Sequence, residues 1–163
     1  MIKVTNVTVY PEQLEYTLEF DSQAPHRTSE DTEAVNRLYQ LMPGIAKHEC
    51  YGDKGASFKA AMADTEFAHL IEHIVIELIA RTGRTQGVAF GQTKQLGDHE
   101  FLTQLDCQDD TLTMACVSTG VWLANWSLNG KQQHTPSIEA LVTSICKMVD
   151  GIDHVEFQDT IIR

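Results

Sequence analysis

The chain has 163 residues, 42% of them hydrophobic and 21% charged, with a formal net charge of −11. That is the size of one ordinary domain with a sizeable core. No apolar run approaches the ~20 residues of a membrane span, and the acidic balance argues against nucleic acid, whose binders carry a basic face.

Taken in order, residues 2–10 are dominated by β-branched side chains and predict a strand. Pro11-Glu12-Gln13 predicts a turn. Leu14, Tyr16, Leu18 and Phe20 then alternate with polar positions, so the opening reads as a β-hairpin. After a loop at 21–27, Thr28 or Ser29 is placed to cap a helix with Glu30, Asp31 and Glu33 in its first turn. Val35, Leu38, Tyr39 and Met42 recur at helical spacing, and Pro43-Gly44 stops the run.

Residues 51–55 are loop by composition, and residues 57–63 predict a short helical turn. Asp64 is the expected cap of a long helix that Gly83 ends. Val88-Ala89-Phe90 reads as a short strand or a loop returning over that helix. Residues 101–107, 111–117 and 121–128 look like three strands, separated by Gln108-Asp109-Asp110 and Ser118-Thr119-Gly120. Trp122 and Trp126 would alternate along the third, in the core or on a sheet face. Pro136 introduces an amphipathic helix with Ile138, Leu141, Val142, Ile145 and Met148, and residues 155–162 read as an edge strand or a tail.

With no repeat, low-complexity segment or linker, the chain reads as a single domain over 1–163. Its expected class is α+β, an antiparallel sheet packed against a buried central helix and two amphipathic helices.

The central helix carries the chemistry. It contains His69-Leu70-Ile71-Glu72-His73, a His-x-x-Glu-His pattern. Residues four apart on a helix share a face, with Cα atoms roughly 6 Å apart, so His69 and His73 are spaced to grip one metal ion. Glu72 lies slightly round the same side, placed to take a proton from a metal-bound water. Phe67, Leu70, Ile71, Ile74, Val75, Ile76, Leu78 and Ile79 cover almost every other direction, which predicts a buried helix. Buried polar groups need partners. A divalent cation answers that need, and a purely structural hydrogen-bond network answers it as well.

A catalytic zinc typically takes three protein ligands and a water. Glu77 is eight residues from His69, about 12 Å along the axis, too far to share an ion with it. Glu77 therefore reads as an orienting partner of His73 or as an ion-pairing residue. The third ligand must come from another segment: His48 is the first choice and Cys50 the next. His26, His99, His134 and His154 show no partner pattern and read as surface residues. The four cysteines (Cys50, Cys107, Cys116, Cys146) lack any Cys-x-x-Cys spacing. With no apolar core in the opening residues to suggest an export signal, they read as free thiols in a reducing cytoplasm.

In combination the segments Leu41-Met42-Pro43-Gly44-Ile45-Ala46-Lys47-His48-Glu49-Cys50, Ala68-His69-Leu70-Ile71-Glu72-His73-Ile74-Val75-Ile76-Glu77-Leu78 and Phe90-Gly91-Gln92-Thr93-Lys94 resemble the N-terminal domain of cyanophycin synthetase. The resemblance spans roughly residues 35–150. That family builds a poly-aspartate chain with arginine on its side chains, and its N-terminal domain holds and presents the polymer. In some members the domain looks like a metallohydrolase that cuts it. The resemblance implies His69 and His73 as metal ligands, Glu72 as base, and Glu77 and His48 as site residues. It departs from the family at Ala68, where glycine is usual, and at Gln92 and Lys94, where two arginines are usual. The two ligase domains are absent from this sequence, so no polymerising activity is expected.

Two functions follow as expectations. One is a zinc-dependent hydrolase of an amide bond in cyanophycin or a related, arginine-rich peptide-like compound. The other is a non-catalytic polymer-binding module or partner subunit of a separate ligase. Neither calls for nucleic acid or membrane, and either is compatible with a homo-oligomer.

Overall fold

The computed structural model describes residues 1–50, 57–87, 89–129 and 134–161. The expected loop at 51–55 and the position of Val88 lie outside the described residues, as does the side chain of His154. The fold is α+β. One four-stranded antiparallel sheet contains β1 (Ile2–Tyr10), β2 (Gln13–Phe20), β3 (Gly91–Gly97) and β4 (Glu100–Asp106), in the order β1-β2-β4-β3. Five helices accompany it among the described residues: α1 (Thr32–Leu41), α2 (Phe58–Ala61), α3 (Phe67–Thr82), α4 (Asp110–Asn129) and α5 (Ile138–Ile161). Short 3-10 turns occupy Thr28–Glu30 and Pro43–Lys47. No helix among the described residues is long and apolar enough to cross a membrane.

The hairpin forms where the alternation places it. Leu14, Tyr16, Leu18 and Phe20 are all buried, and across the ladder Leu14 faces Leu105, Tyr16 faces Thr103 and Leu18 faces Phe101. The buried face of the sheet is thus mostly apolar, as period-two patterning requires, with Thr103 as a polar residue within it. α3 lies against β3 and β4, while α4 lies against β1 and against α3. Asn125 of α4 stitches that layer to the sheet edge, accepting from the Ile2 amide and donating to the Ile2 carbonyl, each at 2.8 Å.

α3 is buried on nearly every side, with Leu70, Ile71, Ile74, Val75 and Leu78 fully removed from solvent. Each such side chain contributes roughly 1.5–3 kcal/mol of hydrophobic stabilisation. Gly83 ends the helix in the left-handed conformation at φ 66°, as its position predicts. The start differs from expectation. Asp64 does not cap α3: its carboxylate accepts from Arg27 Nε at 2.7 Å and Ser29 Oγ at 2.9 Å. The first turn is held by main chain instead, with the Phe67 amide donating to the His26 carbonyl at 2.7 Å. Similarly, α1 begins at Thr32 with Asp31 as its cap, accepting from the Ala34 amide, so Thr28 and Ser29 belong to the preceding turn.

The larger difference is α4. Residues 111–117 and 121–128 are not strands but one 20-residue helix. Gln108-Asp109-Asp110 is not a hairpin turn but the helix entry, where Asp109 Oδ1 accepts from the Leu112 amide at 2.8 Å. The β-branched threonines that suggested strands are accommodated because Thr113 and Thr119 donate their hydroxyls to the carbonyls of Asp109 and Ala115. Gly120 is no turn either. It lies where α4 crosses α3, and a Cβ there would come within 2.8 Å of Val75 Cγ2. Trp122 accordingly points out of the molecule while Trp126 is buried, donating to the His134 carbonyl.

β3 was hidden for the opposite reason. Its residues are mostly exposed, so the seven-residue edge strand carries no apolar alternation. Residues 155–161 continue α5 rather than forming an edge strand, since no proline interrupts the helix begun at Ile138.

The contact at Gly120 gives a direct test. Gly120→Val should lower the unfolding free energy by about 1–3 kcal/mol, because Val75 sits on a packed helix and cannot yield cheaply. Ser118→Ala, on the exposed side of α4, should change it by less than about 0.5 kcal/mol. Urea denaturation of both variants against the parent measures the difference.

Candidate metal centre

The polar groups of α3 face away from α4, toward segments from three other parts of the chain. The 3-10 turn Pro43–Lys47 delivers His48 at its end. Cys50 follows two residues later and is buried. The residues ahead of α3 bring Thr65, and β3 brings Gly91 and Thr93.

Each α3 side chain acquires a specific partner. His69 Nδ1 lies 2.9 Å from Thr65 Oγ1, whose own proton points to Glu66 Oε2 at 3.3 Å. His73 Nδ1 lies 3.1 Å from His48 Nδ1, and His48 Nε2 lies 2.9 Å from Glu77 Oε2. Arg81 Nε donates to Glu77 Oε1 at 2.8 Å. Thr93 Oγ1 donates to Glu72 Oε2 at 2.6 Å. The Phe58 ring lies over the His73 imidazole, with centroids 3.9 Å apart.

Assigning ring protons from these partners gives one consistent set. Glu77 accepts from His48 Nε2, so His48 Nδ1 is an acceptor and takes the Nδ1 proton of His73. The Thr65 hydroxyl, with its proton engaged by Glu66, takes the Nδ1 proton of His69. Both histidines of α3 are then left with a lone pair on Nε2, and these two atoms are 3.2 Å apart. Two lone pairs facing each other at that distance repel unless something positive lies between them.

Cys50 Sγ completes the arrangement, 3.6 Å from His69 Nε2. The ligating atoms of Cys50, His69 and His73 all lie within 4.8 Å of one another. A tetrahedral ion with ordinary zinc bond lengths sets two ligand nitrogens about 3.3 Å apart and a nitrogen and a sulfur about 3.6 Å apart. The donor set and its spacing therefore fit a metal ion. The structure draws Cys50, rather than His48, into that cluster. His48 stands behind His73, and Glu77 reaches His73 only through His48.

Burial pushes the two α3 histidines toward the neutral form that coordination requires. His73 falls to about 3, through burial first and then the neighbouring His69 and His48. His69 is lowered by burial, against an opposing pull from Glu66. Glu77 is held below the usual carboxylate range by the His48 hydrogen bond, reinforced by Arg81. Glu72 moves the other way, raised to about 7 by burial despite the hydrogen bond from Thr93. Two carboxylates on one helix are thus tuned in opposite directions.

Two glycines make room for those carboxylates. A Cβ at Gly44 would collide with Glu77 Oε1, and one at Gly91 would come within 2.8 Å of Glu72 Cγ and Oε1. In the sequence Gly44 reads as a helix stop, and Gly91 stands out only within the Phe90–Lys94 segment. Thr65, Phe58 and Arg81 are not singled out in the sequence, and Thr93 enters only as a member of the Phe90–Lys94 segment. Only Arg81 carried a local signal, four residues after Glu77 on the same helix. His48, Cys50, His69, Glu72, His73 and Thr93 all line one cleft of about 1050 Å³. Away from it, His26 and His99 pair with each other at 2.8 Å on the surface.

The sequence matches the family model described as "Cyanophycin synthase-like N-terminal domain" over residues 15–125. That span holds α3, β3, β4 and all three cluster residues. No curated protein matches the chain.

Cobalt(II) reads the donor set directly. The parent protein should bind one equivalent with a thiolate-to-metal charge-transfer band, and Cys50→Ser should abolish that band. His69→Ala should cost at least tenfold in affinity. Glu77→Gln, which loosens the support behind His73, should cost about 10–100-fold while keeping the band. An unchanged spectrum in Cys50→Ser would exclude the sulfur as ligand.

Proposed function

The chain belongs to the cyanophycin synthase-like N-terminal domain family, and on that premise we propose that it is a metal-dependent hydrolase of amide bonds. The observation that carries this reading is the convergence in one cleft of a Cys50/His69/His73 donor cluster with a buried carboxylate, Glu72, whose pKa is raised to about 7. The cysteine and imidazole donors favour zinc. When bound, such an ion supplies Lewis acidity, polarising an amide carbonyl and acidifying a water.

The chain's own residues supply the rest. Glu72 is the general base. It takes a proton from the attacking water as the carbon–oxygen bond forms and hands it to the departing nitrogen as the carbon–nitrogen bond breaks. Burial makes this carboxyl a readier proton acceptor than an exposed one, which suits a group that must take a proton and give it back. Thr93 fixes the carboxylate by engaging Oε2. Gly91 leaves the space beside Oε1 free of a side chain. Arg81, Glu77 and His48 form a supporting line that sets the orientation and tautomer of His73, and Thr65 does the same for His69.

Family membership and charge support the substrate class in this proposal: cyanophycin or a related peptide-like compound bearing arginine. A net charge of −11 suits the guanidinium groups that such a polymer displays. Gln92 and Lys94, standing where the family usually has arginines, suit a substrate changed in detail. All four cysteines are free thiols, and a cytoplasmic setting agrees with that.

Glu72→Gln keeps the shape and removes the base. Hydrolysis of side-chain-arginylated poly-aspartate should fall 10²–10⁴-fold while metal content by emission spectroscopy stays at one equivalent. Undiminished turnover would remove Glu72 from the mechanism. A metal-free parent that binds the polymer without cutting it would leave a binding module.

A further inference from the structure

Among the described residues, the sheet order β1-β2-β4-β3 leaves β3 with one ladder and one free edge. The edge falls at the site, because Phe90, Gly91, Gln92 and Thr93 line the same cleft as Glu72 and the cluster. The direction of each backbone group follows from the pairing. The Asp106 amide donates to the Phe90 carbonyl at 2.9 Å, so this pair is of the hydrogen-bonded type. Opposed residues of an antiparallel pair alternate between bonded and non-bonded types. Gln92 and Lys94, facing Gln104 and Leu102, therefore spend their amides and carbonyls on β4.

Gly91, Thr93 and Gln95 fall at the non-bonded positions. Thr93 and Thr103 confirm it: their hydroxyls meet at 2.9 Å, the close side-chain approach such pairs show. The main-chain groups of Gly91 and Thr93 thus turn to the open edge, and no hydrogen bond to them beyond the ladder occurs among the described residues. Their side-chain direction is toward Glu72, which Thr93 touches and Gly91 crowds. Proteins normally blunt free strand edges with lysine, bulges or cover. β3 has Lys94 and a register shift between Gln95 and Gly97 at its far end. The end inside the cleft, Gly91-Gln92-Thr93, carries neither.

We infer that the free edge of β3 at Gly91 and Thr93 is the main-chain subsite for substrate: an extended peptide pairs there as a fifth strand, which lays its backbone across Glu72 and the Cys50/His69/His73 cluster. Unpaired strand edges recognise extended peptides through main-chain hydrogen bonds. The inference rests on the reading of the cleft as the substrate site, and it narrows the substrate to an α-linked peptide backbone. The bond presented to Glu72 is a main-chain peptide bond rather than a side-chain link.

The test separates binding from turnover by using the full chain as Glu72→Gln. Three decapeptides serve as probes: poly-aspartate with arginine on every side chain, plain poly-aspartate, and poly-alanine flanked by lysines. At least one should saturate the protein and slow amide hydrogen exchange at Gly91 and Thr93 tenfold or more, with Gln92 and Lys94 unchanged. The fully N-methylated form of that peptide should bind at least tenfold more weakly. Saturation without protection at Gly91 and Thr93, or no saturation by any of the three, overturns the proposal. Hydrolysis by the parent protein without edge protection keeps the hydrolase and removes the fifth strand; edge protection without hydrolysis does the reverse.

Discussion

Two imidazoles and two carboxylates on a helix that is otherwise packed in the core set the terms for this molecule. Leaving one such group buried and unpaired costs about 1–3 kcal/mol, and more when it is charged. A domain of this size has only a modest margin of stability to spend on such defects. α3 is therefore surrounded by partners drawn from separate places in the chain: Thr65 for His69, Thr93 for Glu72, His48 for His73, and His48 with Arg81 for Glu77. The remaining atoms, His69 Nε2, His73 Nε2 and Cys50 Sγ, face one another. Together they form a cluster whose spacing could hold a metal ion.

The architecture around α3 reads as the consequence. Its apolar sides are taken by α4, by α5 and by the inner face of the sheet, so the polar side can only open where the sheet ends, at β3. The start of α3 is tied to residues 26–28 by main-chain bonds, including Thr28 to Thr65 at 2.9 Å. That tie fixes Thr65 and hence the His69 ring. Gly120 lets α4 approach closely enough to fix the other side. Gly44 and Gly91 allow the backbone to close on the two carboxylates without a Cβ in the way. Small residues here serve approach rather than flexibility, since none of these three has positive φ.

Chemistry and scaffold are consequently difficult to separate in this protein. The same burial that stabilises α3 holds its histidines neutral and lifts Glu72 toward neutrality. Depth of placement distinguishes the two carboxylates. Glu77, next to Arg81 and His48, stays an anion, while Glu72, with one hydroxyl donor, does not gain enough to offset its desolvation. A helix exposed on this side would give ordinary carboxylates and protonatable histidines.

Features that depend on neighbours along the chain are legible in the residues alone. The hairpin of β1 and β2, the burial of α3, the stacking of His69 over His73 and the stop at Gly83 all follow from local periodicity and from glycine's freedom at positive φ. The local pattern misled where tertiary contact overrides it. The β-branched run of α4 looks like strands until its hydroxyls are seen bonding back to the preceding turn. β3 has no pattern because an edge strand buries little. Linear proximity could not choose between His48 and Cys50, two residues apart, since the choice depends on which way each side chain turns as the loop meets α3. Only the folded chain decided that Cys50 meets His69, that His48 stands behind His73 and that β3 borders the cleft. Side-chain direction and strand adjacency are set by packing between segments far apart in sequence, and no spacing rule contains that information.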